Sequence, residues 1–232
     1  MIEEPPLLAI NRAGRRPTDA QIAAFQGIPT SFVVDAMYGG GAMAPTIRPI
    51  GDGLDIDCRA AGPALTVDNS PGDILGLLGA LGSIQSGDVV ISAAHDYQGC
   101  AAAGDRVSAM VRNNGAVGLI TDGPVRDYAG IVEVGLPVWC TGLTPGSPFT
   151  KGPGKVGYPV QMGRQQVETG DMVVADRDGV VVVPFAQIDA VITMLQTVKE
   201  LEYSLDAELK DGLKIPQAIQ DLLASDQVKY FD

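Results

Sequence analysis

Short runs of β-branched residues, bounded by glycine, proline or aspartate, alternate with longer segments in which apolar residues recur at helical spacing. This alternation constrains the fold more than any other feature of the sequence, because strands that alternate with helices predict an α/β domain. The predicted strands are AGPALTV (61–67), GDVVIS (87–92), AVGLIT (116–121), LPVWC (136–140), TGDMVVAD (169–176) and DGVVVVP (178–184). No linker divides the chain, so we predict one α/β domain over residues 1–185, with residues 186–232 as its C-terminal helical arm.

Capping residues and apolar periodicity predict the helices. Thr18, with Gln21 three residues later, has the pattern of a capping box, and Asn113–Gly115 has the pattern of a helix end. The predicted helices cover residues 17–26, 31–37, 73–84, 104–113, 186–210 and 215–224. DRDG (176–179) predicts a tight hairpin turn, and the Gly/Pro-rich residues 142–158 predict a long irregular loop.

Composition and charge exclude several classes of partner. Hydrophobic residues make up 46% of the chain and charged residues 19%, as in an ordered globular protein. The formal net charge of −12 argues against a nucleic-acid partner, which requires clustered Lys and Arg. It leaves room for a small anionic ligand, because a local arginine or a metal ion overrides the global field. No apolar run reaches the ~18 residues of a membrane span, so no membrane partner is expected.

The cysteines and the first residues indicate the compartment. Cys58, Cys100 and Cys140 are far apart and form no CxxC pair, so neither a metal cluster nor a disulfide framework is predicted. Free thiols suit a reducing cytoplasm. The start MIEEPPLLAI lacks the basic and apolar regions of a signal peptide. We therefore expect a cytoplasmic protein.

The turn TDGPVRDYAG (121–130) carries the most specific candidate site. Asp105 begins a predicted helix, and Arg126–Asp127 follows the strand after that helix, so the two ends can lie close together. The amides of Arg106 and Val107 suit an anion, an arginine fork suits a carboxylate, and an aspartate suits Mg²⁺. The alternative is an ordinary first-turn aspartate with a solvated Arg-Asp surface pair.

The spacing Asp105–x20–Arg126–Asp127 resembles the RraA-like family. That family includes the class II pyruvate aldolases acting on 4-hydroxy-4-methyl-2-oxoglutarate and 4-carboxy-4-hydroxy-2-oxoadipate. The blocks similar to the family, in its order, are FVVDAM (32–37), AAGPALTV (60–67), SGDVVIS (86–92), GAVGLITDGPVRD (115–127), LPVWCTG (136–142) and TGDMVVADRDGVVVVP (169–184). The resemblance implies an RraA-like α/β fold, similar to the swivelling phosphohistidine-type β/β/α domain, and a homotrimer or homohexamer.

The resemblance also implies roles for these residues. Asp127 would bind Mg²⁺ or Mn²⁺, Arg126 the keto or enolate oxygen, and the Arg106 and Val107 amides the substrate carboxylate. Asp105 would orient a metal-bound water that acts as the base. The implied enzyme is a lyase of aromatic degradation that cleaves a 4-hydroxy-2-oxo acid to pyruvate and a second 2-oxo acid, with oxaloacetate decarboxylation as a side reaction. A non-catalytic ribonuclease regulator, and a decarboxylase or lyase acting on another oxo acid, remain alternatives.

Two positions depart from the family pattern, and two more residues are outside candidates. Gly130 stands where the ribonuclease-regulator branch often carries an acid, which argues against that branch. Arg106 stands where the aldolases commonly carry an apolar residue. His95, the one histidine, is expected to be structural or to line the pocket. Glu202 belongs either to a solvated helix face or, by resemblance, to a neighbouring subunit's site.

Overall fold

A computed structural model describes residues 6–231. Its strands are β1 (Leu8–Ile10), β2 (Arg48–Pro49), β3 (Ala60–Asn69), β4 (Val89–Ala93), β5 (Gly118–Thr121), β6 (Val138–Cys140), β7 (Gly154–Val156), β8 (Val160–Met162), β9 (Gln165–Val167), β10 (Met172–Ala175) and β11 (Val180–Val183). Its helices are α1 (Asp19–Ala24), α2 (Thr30–Ala36), α3 (Leu75–Ala80), α4 (Asp105–Asn113), α5 (Tyr128–Val134), α6 (Ile188–Lys210) and α7 (Gln217–Leu223). The predicted α/β class is confirmed.

Four neighbouring parallel strands, β3 to β6, form the centre of the sheet in chain order. Helices α3, α4 and α5 make the three crossovers between them. Every residue of β4, β5 and β6 is buried. This explains why their sequences are mostly continuous apolar runs and do not alternate between apolar and polar residues. Parallel strands point the same way, so the loops after β4 and β5 emerge at one edge of the sheet.

The ten-residue strand β3 connects the parallel strands to the other strands of the nine-stranded sheet. Its first half pairs antiparallel with β10, which continues into the β10–β11 hairpin. Its last residues pair with β7, and β7 in turn pairs with β1. Strand β3 therefore pairs with three strands, β10, β4 and β7, and lies inside the sheet.

Two apolar clusters fill the interior. The larger one surrounds β4 to β6 and contains Trp139, whose ring is completely buried and whose Nε1 donates to the Asp176 carbonyl at 2.8 Å. The second lies between the β10–β11 hairpin, α2 and the first half of α6, with Phe25 and Leu195 at its centre. The arm helix α6 is therefore anchored in the domain by its first turns.

Beyond Val198 the arm carries many exposed large apolar side chains. They are Leu201, Tyr203, Leu205, Leu209, Ile215, Ile219, Leu222, Leu223, Tyr230 and Phe231. Within residues 6–231, no helix combines the length and the apolarity that a membrane crossing requires. The three cysteines, all in the described part of the chain, are free, as predicted.

Most local predictions are confirmed in detail. Thr18 and Gln21 form both halves of the capping box. The DRDG turn closes with a hydrogen bond from the Asp176 amide to the Gly179 carbonyl at 3.0 Å, and Gly179 has a φ of 142°. The helix predicted at 104–113 is α4, and it ends at Asn114 as expected.

Two local predictions are incomplete. The residues after Arg126–Asp127 form the helix α5 rather than a simple turn, and residues 142–158 include strand β7. Five of the seven residues of α5 (YAGIVEV) are glycine, β-branched or aromatic, and the helix has no side-chain cap, so its signal in the sequence is faint. Strand β7 has three residues and exists because it pairs with β1 and β3, contacts that are distant in sequence.

Close packing between β3 and the turn before β4 gives a test of the fold. A Cβ on Gly62 would overlap the carbonyl oxygen of Gly87, whereas a Cβ on Gly82 would meet nothing within 4 Å. We expect Gly62→Ala to lower the free energy of unfolding by about 1–3 kcal/mol, since overpacking forces the backbone apart. Gly82→Ala is the matched control. If denaturant unfolding gave equal losses of unfolding free energy for both variants, the close contact between Gly62 and Gly87 would be contradicted.

Candidate active site

The segments before α4 and before α5 run side by side. Ala103 and Val125 form a parallel bridge, and the Arg126 amide donates to the Ala103 carbonyl at 3.1 Å. A second bond, from the Ala102 amide to the Pro124 carbonyl, is 2.7 Å long. This approach brings the start of α4 next to Arg126, as the sequence predicted. The start of α4 and the Arg126–Asp127 turn therefore lie in one corner of the fold.

Gly104 is the contact point between the two segments. A Cβ at this position would lie 2.8 Å from Oδ2 of Asp127 and 3.1 Å from Cγ of Arg126. Gly104 has an extended backbone (φ −147°), so the requirement is for space rather than for an unusual dihedral angle. The missing side chain lets the Arg-Asp pair lie against the beginning of α4.

Gly130 makes the same kind of space for Asp105. A Cβ on Gly130 would lie 2.7 Å from Cβ and 2.8 Å from Oδ2 of Asp105. An acidic side chain at position 130 would therefore displace Asp105 from its place over α5. The departure from the family pattern at Gly130 thus has a local physical consequence: it fixes where Asp105 packs.

Arg126 and Asp127 form an open ion pair. Nε of Arg126 lies 3.2 Å from Oδ2 of Asp127, and Nη1 donates to Oγ of Ser147 at 2.8 Å. The two side chains are 38% and 45% exposed, so solvent screens the pair and it stabilises the fold by at most about 1 kcal/mol. Asp127 adopts left-handed dihedral angles (φ 61°, ψ 48°), a conformation that aspartate tolerates better than most residues. An exposed pair held in this strained turn suits ligand binding better than stability.

The N-terminus of α4 offers amides to the same corner. The first intrahelical hydrogen bond runs from the Ser108 amide to the Gly104 carbonyl, so three amides precede it. The Arg106 amide donates to Oδ1 of Asp105 at 2.6 Å, which means that Asp105 occupies one of the two amides predicted to bind a carboxylate. The Val107 side chain is buried in the core, whereas the Arg106 side chain is exposed.

A depression of about 340 Å³ opens over the Arg-Asp pair. Its walls are Arg126, Asp127, Tyr128, Leu143, Thr144 and Pro145. A cavity of similar volume, about 360 Å³, lies between the α1–α2 loop and the β10–β11 turn, and the Arg-Asp pair does not line it. The depression over Arg126–Asp127 is the candidate site because that pair lines it, whereas Asp105, Arg106 and Val107 are not among its lining residues. The other cavity also has charged side chains in its walls, namely those of Arg59, Asp176, Arg177 and Asp178.

Tyr128 lines this depression, although no pattern in the sequence predicted it. Its hydroxyl donates to the carboxylate of Asp55, and this hydrogen bond is the main reason that the pKa of Tyr128 is raised. Asp55 lies 73 positions earlier in the chain, so no local pattern could have paired the two residues. The protonated phenol ties the loop after β2 to the site turn.

Asp122 holds the neighbouring loop, which follows β4. Its buried carboxylate accepts the amides of Ala94 at 2.5 Å and Asp96 at 3.0 Å, and burial raises the pKa of Asp122. His95 and Asp96 both have positive φ (57° and 56°), a costly pair of conformations that these two hydrogen bonds stabilise. The sequence singled out Arg126–Asp127 in this turn but gave Asp122 no role.

The two outside candidates lie away from the Arg-Asp pair within one chain. Nε2 of His95 is 2.7 Å from Oδ1 of Asp68, and Lys155 Nζ is 3.3 Å from the other oxygen of Asp68. These residues line a separate depression at the end of β3. Glu202 is on α6, which packs on α1 and α2, so it is not part of the corner formed by α4 and α5.

The donor atoms of the site fit some metal ions and not others. Residues 6–231 contain no group of three or more His, Cys, Asp or Glu side chains placed to hold a metal. Zinc requires three or four such ligands, whereas Mg²⁺ and Mn²⁺ use one or two carboxylates and keep several waters. The open carboxylate of Asp127, beside the space that Gly104 leaves, fits the second kind of ion.

Comparison with known proteins identifies the family. The sequence matches the profile of the RraA-like family (Aldolase/RraA) over residues 30–182, about two thirds of the chain. The chain belongs to the RraA-like family. Its members share the fold seen here, and the predicted RraA-like α/β fold is confirmed. The matched residues include all of β3 to β6 and the whole candidate site.

Individual RraA-like proteins carry different names. A Halalkalibacterium halodurans protein named "Putative 4-hydroxy-4-methyl-2-oxoglutarate aldolase" is 33% identical over 171 residues, 74% of this chain and 80% of that protein. An uncharacterized Pseudomonas syringae pv. tomato protein superposes with a TM-score of 0.77 at 22% identity, covering 91% of this chain and 98% of that one. Streptomyces coelicolor RraAS2, an unusual member of the RNase ES inhibitor RraA family, superposes at 0.69 with 25% identity, covering 84% and 100%.

The Tyr128–Asp55 hydrogen bond gives a pH-dependent test. A raised pKa in the folded state means that this contribution to stability is complete below the ordinary tyrosine pKa of 10.0 and is lost as the pH rises through the folded value. Asp55→Asn should therefore lower the melting temperature at pH 8, and the difference from wild type should vanish at strongly alkaline pH. Asp57→Asn, an exposed control, should change little at either pH. A pH-independent difference for Asp55→Asn would contradict the assignment.

Proposed function

We propose that this RraA-like protein is a divalent-metal-dependent lyase. It cleaves a 4-hydroxy-2-oxo acid, of the 4-hydroxy-4-methyl-2-oxoglutarate or 4-carboxy-4-hydroxy-2-oxoadipate type, to pyruvate and a second 2-oxo acid. The single observation that carries the proposal is the meeting of Asp105 with Arg126–Asp127, through the spaces left by Gly104 and Gly130. The name of the Halalkalibacterium halodurans relative supports the same chemistry.

Arg126 provides the positive charge for the developing anion. Asp127 and Ser147 hold its guanidinium on two sides, which orients the group before substrate arrives. Cleavage of the C3–C4 bond leaves its electron pair on the pyruvate fragment as an enolate, with negative charge on the former 2-oxo oxygen. A preoriented cation next to that oxygen stabilises the transition state more than the ground state.

Asp105 serves the proton transfers. Its carboxylate orients a water molecule that takes the proton from the 4-hydroxyl group, and the C4–O bond becomes the carbonyl of the second product. The same water returns a proton to C3 of the enolate, which completes pyruvate. A divalent cation at Asp127, when bound, would draw electron density from the 2-oxo group and so favour the bond cleavage.

Cysteine chemistry is not part of this proposal. Burial raises the pKa of Cys140 to about 11, and burial also raises the pKa of Cys58. Both thiols are protonated at neutral pH and are poor nucleophiles. The proposed cleavage uses the acid-base and electrostatic groups of the α4–α5 corner together with a divalent cation.

The ribonuclease-regulator function is the second candidate. Its support is the 25% identity to Streptomyces coelicolor RraAS2 and the net charge of −12, which suits a basic partner segment. Pyruvate release from oxaloacetate, assayed with and without Mg²⁺, separates the two functions. Metal-dependent release supports the lyase, and no release with any 2-oxo acid supports the binding protein.

We further propose a homotrimer or homohexamer. The supporting observation is the arm beyond Val198, where many large apolar side chains are exposed within residues 6–231. In such an assembly Glu202 would be placed to reach a neighbouring copy, the role that the family resemblance implies.

The metal-ligand assignment is tested at Asp127. Asp127→Asn removes the charge but keeps a residue that tolerates left-handed dihedral angles, so the turn should persist. We expect Mg²⁺-dependent pyruvate formation to fall at least about 100-fold, and a chelator to abolish the wild-type rate. The control is Glu133→Gln, an exposed residue on the same helix. A variant with full, chelator-sensitive activity would exclude Asp127 as the ligand.

The importance of the space at Gly104 is tested separately. Gly104→Ala places a methyl group 2.8 Å from Oδ2 of Asp127, so the carboxylate must move. We expect turnover to fall about 10- to 100-fold, because small displacements of catalytic groups are costly. Gly82→Ala is again the control. Unchanged turnover in Gly104→Ala would show that the approach of α4 to Asp127 is not needed for activity.

A further inference from the structure

A second depression adjoins the one over the Arg-Asp pair. It has a volume of about 210 Å³, and its walls include Arg48, Ile50, Asp52, Thr141 and Leu143. Leu143 also lines the first depression, so the two are neighbours along the chain segment 140–145.

Segment 140–143 separates two arginines. Arg48 pairs with Cys140 across the β2–β6 ladder on one side of this segment. On the other side Val125 bridges to Leu143, and its amide donates to the Gly142 carbonyl at 2.9 Å, which places Arg126 next to it. Two interstrand spacings, about 10 Å, separate the two backbones across this segment, and the three-residue step from Cys140 to Leu143 adds up to about 10 Å along it. Because both arginine side chains line the depressions, the remaining gap suits a small molecule with an anionic group at each end.

Tyr128 makes the two depressions one groove. It lines the first, and its ring lies so close to Gly51, which lines the second, that a Cβ on Gly51 would overlap the phenol oxygen. The hydrogen bond from Tyr128 to Asp55 holds this contact. The loop after β2 is thus fixed beside the site, with its preceding residue Arg48 facing the groove.

Arg48 has no ion-pair partner within residues 6–231. Arg126, by contrast, is paired with Asp127. The opposing charge in the second depression is Asp52, which lines it without approaching Arg48 to ion-pair distance. An unpaired arginine at the end of a groove is a binding group for a carboxylate, which it can hold by two parallel hydrogen bonds.

We propose that Arg48 is a specificity-determining residue that binds the distal carboxylate of the substrate. This inference rests on the proposed lyase function and extends it: the preferred substrate class is the 4-hydroxy-2-oxo dicarboxylic acids. The 2-oxo acid end lies over Arg126–Asp127, and the carboxylate on the far side of the scissile C3–C4 bond lies on Arg48. Asp52 weakens this binding by repulsion.

The wild-type protein provides the first test. The substrates are 4-hydroxy-4-methyl-2-oxoglutarate and 4-hydroxy-2-oxopentanoate, which lacks the distal carboxylate. We expect kcat/KM for the dicarboxylate to be at least about tenfold higher, the effect of one charge-assisted contact. Equal kcat/KM values would overturn the role of Arg48. Turnover of neither compound, nor of oxaloacetate, would instead overturn the lyase function and this inference with it.

Variants provide the second test, in which the two substrates are compared within each variant. Arg48→Gln should lower the preference for the dicarboxylate at least about tenfold, mainly through KM, and Arg48→Lys should restore part of it. Asp52→Asn should change KM for the dicarboxylate in the opposite direction, to a lower value. Arg59→Gln, an exposed arginine paired only with Asp57, is the charge-matched control.

The outcomes separate a binding role from a structural one. If Arg48→Gln reduces turnover of both substrates equally, Arg48 supports the β2–β6 ladder and the inference is overturned. If Arg48→Gln unfolds below the assay temperature, the test uses Arg48→Lys and Asp52→Asn instead, and the substrate preference of each is compared with that of the wild type. An unchanged preference in both of those variants would also overturn it.

Discussion

The parallel bridge between Ala103 and Val125 is the contact on which the site depends. It exists because β4 and β5 are parallel, fully buried neighbours whose loops emerge at the same edge of the sheet. Once the two loops are held together, the start of α4 and the turn before α5 have no freedom to separate. Asp105, Arg126 and Asp127 then share one corner, although twenty residues separate Asp105 from the pair.

Glycine residues provide the space in this corner, whereas the functional residues have the strained backbone. Gly104 and Gly130 allow close approach, each for a different aspartate. Asp127 itself takes the left-handed conformation that redirects the chain into α5. The buried carboxylate of Asp122 meanwhile stabilises the strained loop at His95 and Asp96. Strained backbone thus occurs at Asp127 and in the loop at His95 and Asp96, and in that loop the hydrogen bonds to Asp122 offset it.

The proposed groove is close to neutral in a strongly negative chain, because Arg126 and Arg48 line it together with Asp127 and Asp52. The chain carries −12 overall, yet the two arginines at the ends of the proposed groove, Arg126 and Arg48, would attract the carboxylates of the proposed substrate. Such a surface disfavours polyanions, which feel the whole field, and accepts compact carboxylates, which feel mainly the nearest guanidinium groups. The hydrogen bond between Tyr128 and Asp55 links the two ends of the groove by fixing the loop after β2.

The sequence by itself determined the α/β class, the main helices and strands, the family and the meeting of Asp105 with Arg126–Asp127. Apolar runs and capping residues are local patterns, and the x20 spacing is a fixed distance along the chain. All three can therefore be recognised in a single sequence. Only the tertiary structure decided that α5 is a helix, that Gly130 accommodates Asp105, and that Tyr128 and Arg48 border the groove. These features depend on contacts between residues far apart in the chain, such as Tyr128 with Asp55, and on the space between packed elements, which no local pattern encodes.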